Sequence, residues 1–281
     1  VRVLDLFSGI GGFSLGLERA GMETVAFCEI EEYPRKVLAR HWPSVPIYED
    51  VRDVSKQRLD ADGITGIDVI TGGFPCQDIS VAGKQAGIEG ERSCLWGELC
   101  RIIGDIRPRY AIVENVAALI SGNNGAWFGR VLGDLAEIGY DCEWHCLPAS
   151  ELGAHHHRDR VWIICYPQEL QRDGCDNHRE DGRGKVSKPG DTDSQTDMAD
   201  PYQPRLQGRI SAGLQERAGE WATGPGGCSW HGCWDVEPGV GRVANGIPRR
   251  VDRLKGLGNA VVPQIPELIG RAIMQQIPEP E

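Results

Sequence analysis

The chain has 281 residues, 40% of them hydrophobic, with 30 Lys and Arg against 41 Asp and Glu and a formal net charge of −11. That apolar content supports a sizeable core, yet no run of about 18 apolar residues offers a membrane span. The acidity argues against a generally basic nucleic-acid binder, while leaving room for a local basic strip on an acidic body.

The sequence opens at Val1 directly into an apolar, strand-like run without a basic leader or cleavage site, so a secretory signal is not expected in it, and an initiator Met is expected ahead of it. Ten cysteines are scattered along a chain long enough to need no staples. Reduced thiols in a cytoplasmic protein are the expectation.

Strands are predicted over Val1–Phe7, Thr24–Cys28, Val45–Tyr48, Asp68–Thr71, Tyr110–Glu114, Glu143–Leu147 and Val161–Tyr166, with helical patterns between them. One such pattern is Phe128, Val131, Leu132, Leu135 and Ile138, closed by Gly139 as a C-cap. Strands alternating with helices predict an α/β fold with a doubly wound, mostly parallel sheet. Beyond Pro167 the sequence turns rich in Gly, Asp, Arg, Gln and Pro and poor in core formers, which predicts a second, smaller, loop-rich domain. Trp221, Trp230 and Trp234 follow closely and suit local packing there. From Pro263 a helical pattern returns in Ile265, Leu268, Ile269, Ala272 and Ile273, a terminal helix expected to rejoin the main body. The expected organisation is therefore an α/β domain over 1–166, a smaller loop-rich region over 167–245, and a segment ending in the terminal helix over 246–281.

Chemistry concentrates at the carboxyl ends of the predicted strands. After the first lies Asp5-Leu6-Phe7-Ser8-Gly9-Ile10-Gly11-Gly12, a glycine loop that lets backbone approach a ligand at a helix N-terminus. The spacing is not that of a dinucleotide fingerprint, which removes a nicotinamide-dependent oxidoreductase from consideration. Glu29 closes the second strand, where a carboxylate can take ribose hydroxyls, and Asp50 the third, where one can accept from an adenine amino group. Either alone could be an ordinary strand-end residue; the three together point to a cofactor carrying adenosine. Gly72-Gly73-Phe74-Pro75-Cys76-Gln77 then holds a cysteine among loop formers, a candidate nucleophile. Cys28, Cys100 and Cys165, by contrast, fit buried structural thiols. Glu114, on the fifth strand, is placed for a raised pKa and a role as acid or hydrogen-bond donor.

His155, His156 and His157 are adjacent and cannot easily converge on one metal, so Arg158 and Arg160 are preferred there as anion or base contacts. Cys228, His231 and Cys233, with Cys175 or His178, form only an irregular zinc pattern, and no metal is expected. Within Gly241–Gly258, Arg242, Arg249, Arg250, Arg253 and Lys255 face Asp252 alone, a strip on which a phosphate backbone could lie or simply a solvated basic face.

In order and in kind, these motifs resemble the C5-cytosine DNA methyltransferases. The matches are the Asp5–Gly12 loop, Glu29, Asp50, Pro75-Cys76-Gln77, Leu95-Trp96, Glu114-Asn115-Val116, Arg158-x-Arg160 and Gly258-Asn259-Ala260-Val261-Val262-Pro263. Ile79 stands where the family commonly has phenylalanine, and His156 where glutamine is usual. The short polar segment is similar in position to the family's target recognition domain and in size to compact bacterial or phage-borne members.

The resemblance implies a Rossmann-like methyltransferase fold and S-adenosylmethionine as methyl donor, without a metal. It further implies duplex DNA as substrate, a monomer, and a cognate restriction endonuclease as a companion on the same site. It assigns Cys76 as the nucleophile toward C6 of a flipped cytosine and Glu114 as the partner of N3 and the exocyclic amine. Arg160, with Arg158 behind it, contacts the ring. It assigns Phe7, Gly9, Gly11, Glu29, Asp50, Pro75, Leu95 and Asn259 to the cofactor. Arg249, Arg250, Arg253 and Lys255 are expected near DNA. A tRNA cytosine methyltransferase and an inactive DNA-binding relative are the alternatives; retention of both Cys76 and Glu114 argues against the latter.

Overall fold

The structure is a computed structural model that describes residues 1–75, 95–154, 156, 158–168 and 250–277, with backbone only at Arg250 and Leu254. Seven strands form one sheet: β1 (Arg2–Leu6), β2 (Glu23–Cys28), β3 (Ile47–Tyr48), β4 (Val69–Gly72), β5 (Tyr110–Val116), β6 (Tyr140–Pro148) and β7 (Asp159–Pro167). Their order is β3-β2-β1-β4-β5-β7-β6. Pairings among β1 to β5 are parallel, while β7 lies antiparallel between β5 and β6.

The helices are α1 (Gly12–Arg19), α2 (Glu32–His41), α3 (Lys56–Ala61), α4 (Leu95–Ile106), α5 (Ala118–Ser121), α6 (Ala126–Glu137), α7 (Arg250–Asn259) and α8 (Gln264–Met274). No helix among the described residues is long and apolar enough to cross a membrane. The mostly parallel α/β sheet anticipated from the strand–helix alternation is present. The anticipated recognition region, its tryptophans and its zinc pattern lie outside the described residues.

Two apolar layers sandwich the sheet. One joins Ile102, Ile103, Val131 and Leu135 to the strand residues Leu4, Val113 and Ile163. The other joins Phe13 and Leu17 to Trp162 and to Ile265, Ile269 and Ile273 of α8. The predicted terminal helix therefore does rejoin the body, and it does so at very short range. A Cβ on Gly12 would sit 2.4 Å from the Val261 carbonyl oxygen, and one on Gly16 2.2 Å from that of Pro263. Glycine at both positions lets α1 approach the chain leading into α8 almost backbone to backbone.

The strand order reverses at β1, so the loops after β1 and β4 diverge and open a crevice at the carboxyl edge of the sheet. Phe7, read as the last strand residue, instead takes φ 53° and ends β1 by turning the chain into this crevice. Beneath it, Asp5 is fully buried; its carboxylate accepts from Ser14 Oγ at 2.7 Å and Thr71 Oγ1 at 2.9 Å, tying β1 to α1 and β4.

Burial, only partly opposed by those hydroxyls, pushes the Asp5 carboxyl up from 3.8 to about 7. The native state therefore holds a proton there between these values that the unfolded chain has released. This contribution to stability is fully present at acid pH and declines as pH rises toward 7. Asp5→Asn should make the fall in unfolding free energy across pH 4 to 7 shallower, by about 1.4 kcal/mol per pH unit at most. Denaturant titrations at several pH values measure that slope; an unchanged slope contradicts the assignment.

Candidate active site

The crevice is a cleft of about 310 Å³, a size suited to a small-molecule cofactor. The loops after β1, β2, β3 and β4 and the end of β5 contribute to its walls, and the entrance to β7 and one side of α7 complete them. Of the cofactor residues expected from sequence, Phe7, Gly9, Glu29, Asp50, Pro75, Leu95 and Asn259 all line it. Gly11 does not. It caps α1 at φ 86°, and a Cβ there would lie 2.6 Å from the Trp42 ring, so its visible task is to admit that ring.

Glu29 is 8% exposed, directly after β2. Its Oε2 accepts from the Gly9 amide at 2.7 Å and its Oε1 from the Glu31 amide at 2.8 Å. Burial raises its pKa, and those two amides oppose the rise. The carboxylate is thereby held in one orientation with lone pairs left for hydroxyl donors. Gly9 adopts φ 53°, and a Cβ on it would meet nothing within 4 Å, so the turn rather than crowding favours glycine. Asp50 accepts from the Arg52 amide at 2.9 Å as the cap of a short turn over Val51–Asp53. A fixed, half-satisfied carboxylate and a second acidic side chain on an open, partly apolar wall fit the adenosyl portion of a cofactor.

Across the cleft, the antiparallel register of β5 and β7 pairs Glu114 with Trp162 and Val116 with Arg160. Glu114 and Arg160 thus face one another, Oε1 to Nε at 2.9 Å, both largely shielded from water. Burial pushes the Glu114 carboxyl up, while Arg160 and then Arg158 pull it back. Gly73 makes this position available, because a Cβ there would stand 3.1 Å from Glu114 Oε2. Asn115, 2% exposed, donates from Nδ2 to the Phe74 carbonyl at 3.2 Å and accepts the Val116 amide at 2.9 Å. The end of β5 is in this way fastened to the segment that leads, through Pro75, to Cys76.

Cys76 itself lies outside the described residues, as does Arg249. Arg250 begins α7, and Arg253 is exposed on that helix without lining the cleft. Lys255 does line it, with its Nζ 2.7 Å from Glu31 Oε1. Arg158 also lines the cleft, but its guanidinium donates to the carbonyls of Gly258 at 2.8 Å and Ala260 at 2.5 Å. Cys28, Cys100 and Cys165 are buried, as expected of structural thiols. Burial raises Cys28 to about 12 and Cys100 to about 11.

Gly73, Asn115 and the Lys255–Glu31 pair were not assigned roles from sequence. The repeated glycine before Phe74 was a visible signal for the first. The other two depend on which chain segments meet in space.

A model of the C-5 cytosine-specific DNA methylase family matches residues 1–226. The type II methyltransferase M.HgiBI of Herpetosiphon aurantiacus is 35% identical over 174 residues, which cover 62% of this chain and 39% of that protein. M2.BsuMI of Bacillus subtilis (strain 168), also a type II methyltransferase, is 32% identical over 194 residues, 66% of this chain and 48% of that one. The chain thus spans about half the length, or less, of these relatives. In fold it is similar to the crystal structure of a prophage-encoded E. coli protein described as a DNA modification methyltransferase. The TM-score is 0.60 with 98% of this chain and 99% of that chain covered, at 16% sequence identity. By its sequence, this chain belongs to the C-5 cytosine-specific DNA methylase family.

Proposed function

We propose that the chain transfers a methyl group from S-adenosylmethionine to C5 of a cytosine extruded from duplex DNA. The observation that carries the proposal is the Glu114–Arg160 pair, set in the same cleft as Glu29, Asp50 and Asn259 and beside the Pro75 that precedes Cys76. Glu29, Asp50, Phe7 and Gly9 would hold the cofactor, which when bound supplies an electrophilic methyl group on sulfonium.

The protein's own residues prepare the acceptor carbon. C5 of cytosine is a poor nucleophile until a thiolate adds to C6 and moves ring electrons toward C5. Cys76 supplies that thiolate. Glu114, held high by burial, places a proton at N3 as the Cys76 sulfur adds, neutralising the charge that develops on the ring. Arg160 keeps the Glu114 carboxyl aimed into the cleft and offers further guanidinium donors to the base. Afterwards a base removes the C5 proton, the C6–sulfur bond breaks, and Cys76 is regenerated. Neither Cys76 nor Glu114 can reach these atoms inside a stacked duplex, so the nucleotide must leave the helix.

The segment over 167–245 is proposed as the target recognition region, and Arg249, Arg250, Arg253 and Lys255 as backbone contacts. Exposure of Arg253 on α7, next in sequence to the cleft-lining Asp252, supports this. A monomer acting in the cytoplasm on the site of a cognate restriction endonuclease completes the proposal; the type II names of the relatives support the last point.

Transfer of tritiated methyl groups to duplex DNA and to tRNA tests the substrate. Label on DNA is expected, and label confined to tRNA contradicts the proposal. Cys76→Ala should abolish turnover while cofactor binding survives, and Glu114→Gln should lower turnover by about 100-fold or more. Gly73→Ala, which presses a methyl group against Glu114 Oε2, should lower kcat about tenfold with the thermal midpoint little changed. Wild-type kcat in that variant shows that Glu114 does not need the space.

A further inference from the structure

Arg158 and Arg160 are two residues apart and do different things. Arg160 points to Glu114, whereas Arg158, at the entrance to β7, turns to the far side of the cleft. Its backbone takes φ 44°, a conformation that L residues rarely adopt and that redirects its side chain away from the sheet. The two carbonyls it reaches, Gly258 and Ala260, flank Asn259, which lines the cleft. Gly258 lies in the last turn of α7 and Ala260 just beyond it, where carbonyls lack partners within the helix and the helix dipole presents its negative end. A planar guanidinium can satisfy two such oxygens at once, which an ammonium on a flexible stem does less well.

The same helix has a second fastening. Lys255 meets Glu31, whose amide in turn orients the Glu29 carboxylate. The Lys255 contact holds α7 against residues beside Glu29, and the Arg158 contacts hold its end against the entrance to β7.

From this geometry we infer that Arg158 is a positioning residue for the cofactor side: by bridging the Gly258 and Ala260 carbonyls it pins Asn259 into the cleft, leaving the base to Arg160. The inference rests on the cofactor reading proposed above. It gives Arg158, which the motif places only behind Arg160, a task of its own on the α7 side of the cleft.

Calorimetric binding of S-adenosylhomocysteine to the full chain without DNA tests it, combined with amide hydrogen exchange over residues 257–262. Arg158→Ala should weaken binding about tenfold and raise exchange across that segment, with Arg158→Lys intermediate in both. In an Asn259→Ala background, itself weaker, the Arg158 substitution should cost little more, because its effect passes through Asn259. A full additional loss in that background marks a general structural role and overturns the inference. Unchanged affinity in Arg158→Ala and Arg158→Lys overturns it as well. A wild-type protein that binds no S-adenosylhomocysteine contradicts the cofactor reading and this inference together, whereas binding that is insensitive to Arg158 contradicts this inference alone.

Discussion

Burial makes a carboxylate hard to keep charged, and Glu114 sits where that cost is high; the guanidinium of Arg160, 2.9 Å away, is what makes the position tenable. Much of the architecture serves that encounter. β7 must run antiparallel beside β5 for the two side chains to share a face, and the register must place Arg160 opposite Val116. Gly73 must lack a side chain, and Asn115 must hold the start of the loop that leads toward Cys76. A one-residue slip between β5 and β7 would turn either side chain to the opposite face and dissolve the pair.

The other half of the cleft depends on the C-terminal segment that carries α7 and α8 back to the sheet. α8 docks on α1 through contacts close enough that Gly12 and Gly16 admit no side chain, and that docking delivers Gly258 and Asn259 to the cleft. Cofactor side and base side are therefore built from segments far apart in sequence and joined by the C-terminal packing. Arg158 and Lys255 reinforce the junction where it borders the site.

Most of this scaffold was legible in the residues themselves. All seven strands overlap the apolar runs that predict them; β1, β2, β4, β5 and β7 are buried along most of their length, which leaves a strong local signal. Boundaries were less legible: β5 extends to Val116 and β6 starts at Tyr140, since pairing with β7 continues past the apolar stretch. Phe7 looked like strand because its side chain is apolar, yet its φ is set by the turn into the crevice. That Gly9, Glu29 and Asp50 line the cleft was readable from their strand-end positions. Gly11 was grouped with them by motif, but it does not line the cleft and lies instead against the Trp42 ring, a contact that local pattern does not reveal. The division of labour between Arg158 and Arg160 was equally hidden, being decided by where α7 ends.

In the proposed mechanism, Cys76 bonds to C6 of the target base while Glu114 supports the ring. Fluorine at C5 leaves no proton to remove, so the final elimination is blocked and the bond should persist. The direct measurement is denaturing electrophoresis of the protein after incubation with S-adenosylmethionine and duplex DNA containing 5-fluorocytosine. The wild type should run as a covalent protein–DNA adduct that Cys76→Ala fails to form. No adduct in the wild type, or one that survives replacement of Cys76, would contradict the account.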